Sequence, residues 1–90
     1  MRFKFDASKS RDVRRKYGVS LVEAQEIFDQ VYVVDAKSDD PEQFRAIGWC
    51  CGRLCSVIYE VRHDREGDYY RLITAWKATE NEEQNYVRNI

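Results

Sequence analysis

Long apolar runs are missing from this 90-residue chain. No stretch approaches the ~18 consecutive apolar residues of a membrane span. The N-terminal MRFKFDASKSRD also lacks the apolar core of a signal peptide. The expectation is a cytoplasmic protein with no membrane contact. Proline occurs once and glycine four times, and no repeat, linker or low-complexity tract interrupts the order of elements. The length has room for one small domain over residues 1–90, with one modest core, and none for a second. Cysteine is scarce and oddly placed: Cys50, Cys51 and Cys55 crowd into six positions, which suits neither a disulfide framework nor paired CxxC ligands. Reduced, partly buried thiols are expected. The single histidine, His63, would have to come from another turn to complete a metal site or a thiol–imidazole pair, so neither a metal nor a cofactor is expected.

Charge is nearly balanced overall, at −1, but unevenly spread. Residues 1–18 carry seven Lys/Arg against two Asp, and residues 19–50 carry two against seven Asp/Glu. Such asymmetry permits an anion-binding face on an acidic protein, although a charge run is as often plain solvated surface.

Arg2–Phe5 alternates and reads as a short first strand or an extended arm. Asp6 is placed to cap a helix through Arg15. Its apolar stripe is Ala7, Val13 and Tyr17, its basic surface Lys9, Arg11, Arg14, Arg15 and Lys16, and Gly18 stops it. Ser20 with Glu23 forms a capping box, and Leu21, Ala24, Ile27 and Phe28 follow at helical spacing, predicting a second helix to about Asp29. Val31–Asp35 reads as a strand ended by a polar turn over Lys37–Pro41. Strands Gln43–Cys50 and Arg53–Arg62 are separated only by Cys51-Gly52, a tight hairpin. His63–Asp68 is the next turn and Tyr69–Trp76 the last strand. Thr79 and Glu82 form a second capping box, opening a C-terminal helix through about Arg88. The predicted class is therefore α+β: two N-terminal helices, a four-stranded antiparallel sheet and a closing helix, with the helices on one sheet face and the other partly open.

With these elements in place the chain resembles the BrnT-like toxins of bacterial type II toxin–antitoxin modules. The matching residues are Phe5-Asp6 with Lys9, Lys16-Tyr17-Gly18-Val19-Ser20, Glu23-Ala24 and Ile27-Phe28. Phe44 and Gly48 follow, then Arg71-Leu72-Ile73-Thr74-Ala75 with Ala78-Thr79, Glu82 and Tyr86. The resemblance implies a RelE-like fold and metal-independent RNA cleavage that slows translation. It also implies neutralisation by a BrnA-like antitoxin and contact with operator DNA only through the antitoxin complex. Two positions depart from the family pattern: its arginine before Phe44 is Gln43, and its arginine after Ala75 is Trp76.

Metal-free RNA cleavage needs a base for the 2′-hydroxyl proton, a donor for the leaving oxygen and cations for the phosphate. Arginine serves the last task best, through a planar fork that is always charged. The candidates are Arg45, Arg71 and Lys77 for positive charge and Glu82 or Tyr86 for proton transfer. Arg11, Arg15, Lys16 and Trp76 are the candidates for contacts to the RNA strand. Each has a structural alternative. Glu82 is also the partner of Thr79 in the capping box, and Arg71 is also placed to pair across strands with Glu60 or Asp64. Tyr86 and Trp76 are also packing residues, and the basic helix is also solvated surface. A binding-only descendant that has lost the chemistry is the alternative function. A helix-turn-helix over 7–29 is disfavoured, because Glu23, Glu26 and Asp29 carry the wrong charge for a major groove.

Overall fold

A computed structural model describes residues 1–90. Its elements run β1 (Arg2–Lys4), α1 (Ala7–Tyr17), α2 (Leu21–Ala24), a 3-10 turn (Gln25–Asp29), β2 (Val33–Asp39), β3 (Glu42–Cys50), β4 (Arg53–Asp64), β5 (Gly67–Lys77) and α3 (Glu80–Asn89). The strands form one sheet in the order β1-β5-β4-β3-β2. All neighbours are antiparallel except β1, which runs parallel to β5. The expected Arg2–Phe5 arm is thus a fifth strand over Arg2–Lys4 at the sheet edge, reached by a crossover through the whole chain.

Local chemistry accounts for most boundaries. The Asp6 carboxylate accepts from the Lys9 amide at 3.0 Å to open α1, and Gly18, with φ of 81°, closes it in the left-handed conformation. Cys51 and Gly52 have φ of 56° and 78°, the two positive values a type I′ hairpin turn requires. Both predicted capping boxes form.

Besides the turn expected over His63–Asp68, which narrows to Arg65-Glu66 because β4 and β5 pair as far as Asp64 and Gly67, four expectations need correction. The second helix is α-helical only over Leu21–Ala24 and then tightens to a 3-10 turn. Leu21, Ala24 and Ile27 recur every three residues, the 3-10 period, so the tightening keeps all three fully buried. The polar segment Lys37–Asp39 does not end the second strand but continues it. The register slips between Ala36 and Ser38, which leaves Lys37 as a bulge and lets Ser38 and Asp39 pair with Gln43 and Glu42. This is an edge strand, where polar side chains stay solvated. In α1, Ala7 and Tyr17 are exposed, and the buried residues are Ser10 and Val13. Ser10 Oγ accepts from the Leu21 amide at 3.0 Å, so it caps the next helix from below.

The fourth correction concerns layers. One face of the sheet presents Phe44, Ala46 and Gly48 on β3, Cys55, Val57 and Tyr59 on β4, and Tyr70, Leu72 and Ala75 on β5. A register slip opposite Ile58 and Tyr59 leaves Ile73 extra, which is why Leu72 and Ala75 share a face although three residues apart. The N-terminal helices close over this face around a core that includes Val13, Val19, Leu21, Ala24, Ile27 and Val57. Phe28 sits 5.1–5.3 Å from the ring centres of Phe3, Tyr32, Tyr59 and Tyr70. The closing helix α3 lies on the opposite face, where Glu82 meets Arg45 and Trp76. The outer face is left uncovered near the β4–β5 turn, and at the β3–β4 end Trp49 is 43% exposed.

Candidate functional site

The outer face holds two carboxylates that are buried and differently employed. Glu82, 6% exposed, accepts from the Thr79 amide and the Trp76 indole, each at 2.9 Å, through Oε1. Its Oε2 accepts from Arg45 Nη1 at 3.1 Å. Burial pushes its pKa up, but the Thr79 amide, Trp76, Ser56 and Arg45 outweigh burial, and the net direction is down. Arg45 is further spent on Asp35, through Nε at 3.0 Å and through Nη2, so no part of its charge is left for a phosphate. Tyr86 is buried with its hydroxyl donating to the Val31 carbonyl at 3.3 Å. Arg45, Trp76, Glu82 and Tyr86 therefore come together as the fastening of α3 to the sheet.

Glu60, 7% exposed, stands two positions further along the same face of β4 than Ile58, the cross-strand partner of Arg45. Gln43 Nε2 donates to its Oε2 at 2.9 Å, and Arg62 donates to its Oε1 through Nε at 2.9 Å and Nη2 at 2.6 Å. Gln43, then Arg62, hold its pKa below the usual carboxylate value, and Arg71 contributes. Three donors on a carboxylate with about four lone-pair sites leave it ionised and with an accepting position free.

Arg71 is directly opposite Glu60 in the register, yet forms no ion pair with it or with Asp64. Glu60 is occupied by Gln43 and Arg62, and Asp64 by Arg2 at 2.7 Å and Lys4 at 2.8 Å. Arg71 is exposed and lines a cleft of 260 Å³ with Asp6, Lys9, Leu72 and Ile73. Next to it Tyr69, opposite Arg62, is flanked by Arg2 and Lys4 at 5.5 and 4.4 Å from its ring centre.

The five residues expected to share the chemistry therefore do not converge. Lys77 follows Trp76 on the other face, where it approaches Gly18 beside Arg53 at the C-terminal end of α1. There it joins the basic helix rather than Glu82. Of that helix, Arg15 pairs with Asp12 and Arg14 with Glu23, whereas Arg11 and Lys16 are exposed without an ion pair. His63, eight positions along β4 from Cys55, is nowhere near the thiols. Glu60, Arg62 and Tyr69 escaped sequence reasoning as site residues. The available signal was Glu60 itself, a carboxylate closing the apolar run Val57-Ile58-Tyr59.

The chain is thus an α+β protein with helices on both faces of a mixed five-stranded sheet, and its strand residue Arg71 is exposed and without an ion pair. A family model described as "Ribonuclease toxin, BrnT, of type II toxin-antitoxin system" matches residues 5–82. The chain belongs to this BrnT family. No curated protein matches it, and no helix is long and apolar enough to cross a membrane.

Proposed function

We propose that the chain is the endoribonuclease toxin of a type II module, acting in the cytoplasm on RNA, without a metal at the cleavage centre, to slow translation. The observation that carries the reading is the juxtaposition of Arg71 and Glu60: a guanidinium with no protein partner beside a carboxylate held ionised. Glu60 takes the proton of a 2′-hydroxyl, whose oxygen attacks the adjacent phosphorus to form a 2′,3′-cyclic phosphate as the bond to the 5′-oxygen breaks, and the departing 5′-oxygen takes its proton from solvent water. Gln43 and Arg62 orient the carboxylate. Arg71 binds the phosphate through its fork and stabilises the charge that grows on it, with Lys9 in the same cleft. Tyr69 offers a ring for a neighbouring base. Arg11, Lys16 and Lys77 contribute salt-dependent contacts to the rest of the strand. Arg45, Glu82, Trp76 and Tyr86 act as scaffold.

The partner in this reading is a BrnA-like antitoxin, and operator DNA is met only in complex with it. One observation favours a second reading, a binding-only descendant. The two positions where the family carries arginine hold Gln43 and Trp76, and both are spent on protein carboxylates, Glu60 and Glu82. Induced expression in a bacterial host separates the two. Growth arrest with loss of total RNA, relieved by Arg71→Ala, supports the nuclease. Normal growth with intact RNA from a folded protein supports the descendant.

A further inference from the structure

At the other end of the sheet, roughly 20 Å along β4 from Glu60, the β3–β4 turn gathers groups that the proposed cleavage does not use. Cys50 Sγ and Cys51 Sγ lie 3.7 Å apart, and Cys51 Sγ is 3.4 Å from Glu23 Oε2. The Cys51 amide donates to Glu26 Oε1 at 3.0 Å. One ligand atom each from Glu26, Cys50 and Cys51 falls within 4.8 Å of the others. The thiols come from the hairpin and the carboxylates from α2 and the 3-10 turn, so two layers of the fold converge here. All three cysteines are free thiols, and 3.7 Å is far beyond the ~2.05 Å of a disulfide.

Consecutive residues of a strand point to opposite faces. Cys50 and Cys51 escape that rule because Cys51 turns with φ of 56°, which brings the two sulfurs together. A tetrahedral ion with bonds of about 2.3 Å to sulfur and 2.0 Å to oxygen has edges of about 3.8 Å between sulfurs and about 3.5 Å from sulfur to oxygen. The observed 3.7 Å between the sulfurs matches the first edge, and Glu26 offers an oxygen within 4.8 Å of both sulfurs. Cys50 is buried and supplies a dry wall, whereas Cys51 and Glu26 are exposed and leave a path of entry. Arg14, 2.8 Å from Glu23 Oε1, offsets part of the negative charge.

The geometry points to a site for one soft divalent cation of the zinc class, held by Cys50 and Cys51 as thiolates with the carboxylate of Glu26 and water in the fourth position. Binding releases the thiol protons to solvent and ties the β3–β4 turn to the helical layer. This departs from the expectation, drawn from His63, of no metal centre. It is a structural site and is independent of the nuclease reading.

The test adds cobalt(II) to the reduced full-length protein without oxygen. Expected are a sulfur-to-cobalt charge-transfer band in the near ultraviolet and strong visible bands of tetrahedral cobalt, saturating at one equivalent and displaced by zinc. Cys51→Ser removes at least about half of the charge-transfer intensity, Glu26→Gln weakens binding ~10-fold or more, and His63→Ala changes nothing. Zinc at a hundredfold excess over Kd raises Tm by about 5 °C or more. Cys51 and Glu26 are exposed, and circular dichroism checks that their variants fold. Absence of the charge-transfer band, or a band unchanged in Cys51→Ser, overturns the proposal.

Discussion

Glu82 closes the capping box of α3 and also holds Trp76 and Arg45, so one side chain links a helix terminus to two strands. Glu82→Ala is expected to cost about 2–4 kcal/mol, the sum of a lost cap contact and charged hydrogen bonds. Thr79→Ala, which removes the cap alone, is expected to cost about 1 kcal/mol. Urea denaturation measures both, and equal losses would contradict the wider role of Glu82. The pKa values of Glu82 and Glu60 are lowered in the fold. Their contribution to stability is therefore complete above the unfolded value, about 4.3, and is lost as pH falls through the folded values. Stability should drop on acidification below about pH 4.5, and Glu82→Gln should flatten that slope. Gly48 makes a different residue-scale case. A Cβ there would stand 3.0 Å from Ile27 Cγ2 and 3.2 Å from Tyr32 Cβ, so Gly48→Ala should cost about 1–3 kcal/mol in the same titration.

At the scale of elements, α3 is attached through Glu82 and Tyr86, while Val87 and Ile90 are 69% and 65% exposed. Amides of α3 should therefore exchange with deuterium faster than those of β4 and β5, and should slow when an antitoxin binds. Protection equal to the central strands in the free protein would contradict this. The elements that sequence made legible are those governed by local chemistry: both capping boxes, the Gly18 stop and the Cys51-Gly52 hairpin. The misread ones depend on partners distant in sequence. Lys37–Asp39 is strand only because β3 offers a ladder past the bulge, and the parallel pairing of β1 with β5 joins the two ends of the chain. The side of the sheet taken by α3 is likewise set by Glu82 finding Arg45, 37 positions away.

For the whole molecule, the basic N-terminal segment and the β4–β5 end of the sheet meet at one corner, where Lys9 and Arg71 share a cleft. The sequence places Glu60 or Asp64 across from Arg71, and the register confirms Glu60, but that neither pairs with it depends on partners distant in sequence: Glu60 goes to Gln43 and Arg62, Asp64 to Arg2 and Lys4. Lys77 lies on the other face, so Lys77→Ala should weaken RNA binding in a salt-dependent way and leave the cleavage rate of bound RNA nearly unchanged. A gel-shift series in increasing salt, run beside single-turnover cleavage, checks it, and loss of cleavage with binding intact would return Lys77 to the chemistry. The most direct measurement is cleavage of RNA by the purified protein in excess EDTA, with Arg71→Ala and Glu60→Gln alongside. The account predicts cleavage by the natural sequence and a drop of about 100-fold or more in each variant, with circular dichroism unchanged. Intact RNA in all three, or cleavage that survives both substitutions, would contradict it.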